Sequence, residues 1–173
     1  MRKNASNSDV SSKKVENAMT DRYIAGIQEQ AKKDAQKGVY MSEDYVKYSL
    51  SYVEKTVSPN RNKAIAQTTA YIQKASNGYG ALLAKLFKGY SMKAYIGGFY
   101  PTAEVYAPNG EMIAAKTCGG TWTNIQTEAE TKLIDASTEV YAKAYSAARA
   151  EMKANTQTQI QYNDDTAVLD IRV

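Results

Sequence analysis

The chain has 173 residues, 43% of them hydrophobic, a net charge of +4, no histidine and a single cysteine, Cys118. That length and composition suit a globular chain with a real core rather than a disordered one. The missing histidine and lone thiol exclude Ser-His-Asp triads, Cys-His dyads, Cys/His zinc sites and an intrachain disulfide, and no run of about 18 apolar residues predicts a transmembrane helix.

Residues 1–12 are polar and small, and read as a flexible arm. From Lys13 to Lys37, Val15, Met19, Tyr23, Ile27, Ala31 and Ala35 recur at helical spacing and predict a first helix. Gly26 weakens it by about 1 kcal/mol relative to Ala, and Gly38 stops it. Ser42, followed by Glu43 and Asp44, is an N-cap signal for a second helix. Val46, Leu50, Val53 and Val57 form its expected inward stripe, with Tyr45, Tyr48 and Tyr52 as an adjacent ridge, and Pro59 ends it. A third helix is expected from Asn62 to Ala75, with Ile65, Thr69 and Ile72 inward, and a short fourth from Ala81 to Lys88, stopped by Gly89. Met92–Tyr100 reads as a strand kinked at Gly97-Gly98.

The clearest local signal is a β-hairpin. Ala103–Ala107 alternates as a half-buried strand does, Pro108-Asn109-Gly110 has the chemistry of a turn, and Glu111–Lys116 returns. Gly119-Gly120 breaks that strand. Thr127-Glu128-Ala129-Glu130 is a capping box, and Leu133, Ala136, Val140, Ala144, Ala148 and Met152 continue as one apolar stripe of a long helix ending near Asn155. Leu169, Ile171 and Val173 alternate with Asp170 and Arg172, as in a terminal strand; pairing within the domain or disorder, taken together, is favoured over docking on a partner's sheet edge. The expected fold is therefore α+β: N-terminal helices, a small antiparallel hairpin sheet and a long amphipathic C-terminal helix, as one domain over 13–154 with a polar tail at 155–173.

Charge is unevenly spread. Lys55, Arg61, Lys63, Lys74, Lys85, Lys88 and Lys93 are the only charges between residues 55 and 103, whereas residues 123–173 hold five cations against eight acids. Complementation inside one domain is the favoured explanation. The other is an anion-binding face for nucleic acid, with Tyr71, Tyr79, Tyr90 and Tyr95 to stack on bases, or for an anionic membrane surface met by Leu82–Lys88. Cys118 reads as a structural thiol, and Asp164-Asp165 lacks a calcium-loop pattern. Glu104 and Glu111 on opposite hairpin strands, with Tyr106, are the only candidates for a histidine-free, carboxylate-dependent hydrolase.

The expectation for function is a non-enzymatic protein-interaction or structural module in the cytoplasm, using no cofactor or metal. It would offer Tyr45, Tyr48 and Tyr52 to another protein or to its own copy, because a second ridge exceeds what one buried stripe requires. Polyanion or membrane-surface binding is the first alternative and the hydrolase the second.

Overall fold

A computed structural model of the protein describes residues 19–75, 77–97 and 100–165. The expected flexible arm, the start of the first helix, part of the Gly97–Tyr100 kink and the terminal strand at 167–173 lie outside the described residues. The fold is α+β: among the described residues it has four α-helices and a five-stranded antiparallel sheet, with helix α1 over Asp21–Lys37, α2 over Glu43–Val57, α3 over Arg61–Lys74 and a long α4 over Glu128–Asp165. The strands are β1 (Gly80–Lys85), β2 (Ser91–Ile96), β3 (Thr102–Tyr106), β4 (Met112–Lys116) and β5 (Trp122–Asn124), in the meander order β1-β2-β3-β4-β5.

Contacts gather into two compact units. One comprises the chain up to Tyr52 and from Leu133; the other is Val53–Lys132. The first unit holds α1, most of α2 and most of α4. Thr20, in extended geometry, accepts the Tyr23 N–H on its side chain, so α1 begins at Asp21. Gly38, at φ 71°, closes the helix as the sequence suggests. Ser42 caps α2 through the Tyr45 N–H.

The second unit is the sheet with α3 on one face. Ala64 and Ile72 of α3 pack with Met92, Ala94, Ala103, Val105, Ile113 and Ala114. Strand alternation then sends Ala81, Leu83 and Lys85, Ser91, Lys93 and Tyr95, and Thr102, Glu104 and Tyr106 to the opposite, open face. The register sets Leu83 opposite Lys93, Lys93 opposite Glu104, and Glu104 opposite Ala115. The β3–β4 hairpin forms where the Pro-Asn-Gly corner predicts it, with the Ala107 N–H bonded to Glu111 O and Gly110 at φ 87°.

Three expectations are corrected. Ala81–Lys88 is not a helix. It is strand β1 and the corner of a second hairpin, in which Lys88 (φ 50°) and Gly89 (φ 82°) carry successive positive φ values. Such a corner matches strand twist, and it turns Leu82 and Ala84 inward and Leu83 outward, so no helical membrane-lying stripe exists there. Gly119-Gly120 breaks the strand as expected, but the chain turns there and returns as β5 where no strand was expected, and its Trp122 donates the indole N–H to Thr69 of α3 (3.2 Å). Asn155 does not stop α4, and the expected tail is helical as far as Asp165. Exposed asparagine at such a site costs only tenths of a kcal/mol, too little to end a helix without a competing cap.

The hairpin corner yields a test. A lysine at φ 50° is strained relative to asparagine, so Lys88→Asn should stabilise the protein by roughly 0.5–1 kcal/mol. A rise in the urea midpoint is expected. An unchanged or lower midpoint would contradict the corner.

Candidate functional site

In the first unit the tyrosines are core material. Tyr23 of α1 is fully buried, stacks on Tyr52 at 3.6 Å between ring centroids and lies 5.5 Å from Tyr48. Tyr45 is buried against Tyr141 of α4 at 4.0 Å. Gly26 has a reason here: a Cβ at that position would run into the Tyr48 hydroxyl. Of the three tyrosines expected to form a free ridge, Tyr45 is therefore inside and Tyr52 half-buried, and only Tyr48, at 40% exposure, reaches solvent to any extent. The expected inward stripe is displaced in compensation. Tyr45, Ser49 and Val53 are the buried line of α2, and Val46 and Leu50 are left 42% and 51% exposed. Val46 and Leu50 are one turn apart, hence neighbours on a single flank.

A buried carboxylate organises the same unit. Asp34 of α1 accepts hydrogen bonds from Tyr141 (2.7 Å), Ser42 Oγ (2.8 Å) and Gln30 Nε2 (2.9 Å). The Tyr141 hydroxyl in turn accepts the N–H of Met41, which has φ 52°. Burial pushes the Asp34 carboxyl up, but the converging donors outweigh it and hold it below the usual carboxylate range. Tyr141 is pushed far up, by burial first and by Asp34 second. The sequence gives no cue to Asp34, since its side of the pattern reads as the solvated face of the first helix.

The seven cations of the second unit do not converge. Arg61 is inside: its guanidinium meets Glu130 at 2.5 Å, both side chains about 95% buried, and also donates to Ile125 O (3.0 Å). Lys63 and Lys74 are on α3, which covers one face of the sheet, and Lys63 lies over the Phe87 ring at 4.6 Å. Lys85 and Lys93 are on the opposite face, Lys88 is at the β1–β2 corner and Lys55 is in the last turn of α2. The Glu130 carboxyl is pushed up by burial but drawn below its ordinary value by Arg61, the Thr127 N–H and Ser58. Thr127 and Glu130 form the expected capping box, with the Glu130 N–H on Thr127 Oγ1 (3.2 Å) and the Thr127 N–H on Glu130 (2.9 Å).

Glu104 and Glu111 are not brought together. Glu104 faces Ala115 across the hairpin and accepts a hydrogen bond from the Tyr106 hydroxyl at 2.6 Å. That bond, with burial second, raises the Tyr106 phenol. Glu111 belongs to the turn, bonded to Asn109 and to the Glu128 N–H at the start of α4 (3.0 Å). Cys118 is exposed. Among the described residues no three of His, Cys, Asp and Glu are grouped to hold a metal ion, and no helix is long and apolar enough to cross a membrane. No family model, curated protein or solved structure matches the chain.

Two predictions follow from the buried carboxylates. Tyr141→Phe removes a donor from a charged acceptor and should cost about 1.5–3 kcal/mol near neutral pH. The Asp34 carboxyl is depressed in the folded state, so its stabilisation is present above about pH 4 and drains away as pH falls. Urea unfolding should therefore show the gap between wild type and Tyr141→Phe narrowing on acidification; a gap that does not change with pH would detach Tyr141 from Asp34. Arg61→Met strands the Glu130 carboxylate and should cost about 3–5 kcal/mol, with partial recovery in the double variant Arg61→Met/Glu130→Gln. A loss within about 0.5 kcal/mol, typical of a surface cation, would return Arg61 to the anion-binding set.

Proposed function

We propose that this protein is a non-enzymatic interaction module that docks another protein, or its own copy, through the flank of α2 carrying Val46 and Leu50. The observation that carries the reading is the two-sidedness of α2. Its buried line is complete with Tyr45, Ser49 and Val53, yet Val46 and Leu50 stay about half exposed. A helix in a single compact unit needs one apolar stripe. A second one, next to charged Glu43, Asp44 and Lys47, has the make-up of a small interface centre with a polar rim.

The polyanion reading draws less support, because Arg61 is engaged with Glu130 and the remaining cations are split between α3, the far sheet face, a turn and a helix end. The hydrolase reading loses its paired carboxylates to the hairpin register. A cytoplasmic setting, in which the exposed Cys118 stays reduced, suits the module.

The test is a paired comparison of wild type with Val46→Glu/Leu50→Glu, both substitutions being on the surface and so mild for the fold. Sedimentation velocity over a concentration series, together with cross-linking capture from the native lysate, should show wild-type associations that the variant loses by roughly tenfold or more in affinity. Circular dichroism should be unchanged. A wild type that stays monomeric and captures nothing, or a variant that keeps every association, would overturn the assignment.

A further inference from the structure

The sheet of the second unit has an uncovered edge. Among the described residues β1 pairs only with β2, and it is six residues long, without proline, bulge or acidic side chain. Leu86 donates its N–H to Tyr90 O at the corner (2.8 Å). Antiparallel pairing alternates from there, so Leu82 and Ala84 bond towards β2 while Ala81, Leu83 and Lys85 turn their N–H and C=O groups to the free side. Side chains on both faces of this edge are unfinished. Leu82 and Ala84 belong to the core cluster but are only half-buried, and Leu83 on the open face is 72% exposed. Short edges of natural sheets are protected by charge, proline or a covering element; here the protection amounts to Lys85.

The occupant that fits is written in the same chain. Residues 167–173, outside the described residues, read Ala-Val-Leu-Asp-Ile-Arg-Val. Its length matches β1, and its alternation separates Leu169 and Ile171 from Asp170 and Arg172. Laid along β1, the first pair would extend the layer of Leu82 and Ala84, and Asp170 would come to the face of Leu83 and Lys85. The charges agree: Gly80–Ile96 carries Lys85, Lys88 and Lys93 with no acid, and residues 164–173 carry Asp164, Asp165 and Asp170 against Arg172. We infer that β1 is a strand-accepting edge and that its occupant is the 167–173 segment of a second copy of this chain. Main-chain bonds supply the affinity and the alternating side chains the register. This surface is separate from the α2 flank, and its fate does not depend on that of Val46 and Leu50.

The experiment uses two variants of the full chain and one peptide. A chain ending at Asp165 keeps the edge and lacks the segment. Leu83→Pro keeps the segment and removes an edge N–H at a position where proline spares the β2 pairing. Sedimentation velocity should show concentration-dependent association of wild type, none of either variant alone, and a complex when the two variants are mixed. A labelled peptide of residues 164–173 should bind the truncated chain by fluorescence anisotropy, roughly tenfold more weakly when its Asp170 is replaced by Lys, and more weakly as salt rises. The peptide arm stands even where Leu83→Pro fails to fold. A wild type that stays monomeric, a truncated chain that associates as well as wild type, or a peptide that does not bind each overturns the inference; monomeric wild type with a binding peptide means the segment is satisfied within its own chain.

Discussion

The second unit depends on one buried ion pair. Arg61 opens α3 and Glu130 lies in the first turn of α4, so their contact fixes two helix starts against each other. Burying both charges costs several kcal/mol per ion, and that cost is offset only by close geometry and further hydrogen bonds to the pair. The Arg61 guanidinium, the Thr127 N–H and the Thr127 hydroxyl converge on Glu130 Oε2, and the guanidinium donates in addition to Ile125 O, while Arg61 Nε has no hydrogen-bond partner among the described residues. The capping box thus does two jobs. It ends the loop that follows β5, and it aims a carboxylate at the one cation of the basic stretch that points inward.

The first unit uses a different device, a core of phenol rings in place of aliphatic side chains. Tyr23, Tyr45, Tyr52 and Tyr141 bring large apolar areas, and a buried hydroxyl is costly unless it finds a partner; Tyr45 Oη has no hydrogen-bond partner among the described residues, whereas Tyr23 and Tyr141 do. Tyr23 reaches Ser49 and Ser137 at 3.2 and 3.0 Å, and Tyr141 reaches Asp34. This explains why serines and an aspartate sit at positions where a helix core would ordinarily carry aliphatics. It also explains the exposed flank of α2. Once the tyrosines and Ser49 occupy the inner line, the aliphatic residues that periodicity assigns to the core have no place in it.

What could be read from the sequence and what could not divide along the same physical boundary. The β3–β4 hairpin, the Thr127–Glu130 capping box, the Ser42 cap and the Gly38 stop were legible because each depends on a few neighbouring residues with fixed conformational demands. The segment Ala81–Lys88 was not. Leu82, Leu83, Leu86 and Phe87 satisfy a helical spacing as well as a strand, and Lys88-Gly89 is an unusual partner pair for a tight corner that asparagine commonly begins. The inner line of α2 was illegible for another reason. Tyrosine serves both as core and as boundary, so the choice between the Tyr45 line and the Val46 line is made by what α1 and α4 offer, namely Gly26, Ser137 and Tyr141, residues distant in sequence. Convergence of charge was hidden for that reason too: seven cations in fifty residues say nothing about which side of a sheet each one takes.

The protonation states bear on what kind of protein this is. A general acid at neutral pH needs a carboxyl raised towards 6 or 7 by burial that is left uncompensated. Asp34 and Glu130 are buried, yet both are depressed, because hydrogen-bond donors that belong to the fold outweigh the burial. Their chemistry is committed to holding helices. Among the described residues, the groups left uncommitted are of another sort: half-exposed aliphatics on α2, Leu83 and Tyr95 on the open sheet face, and the edge N–H and C=O groups of β1. Those are the means by which proteins recognise other polypeptides, apolar area in one place and main-chain pairing in another, and the proposed docking surfaces rest on them.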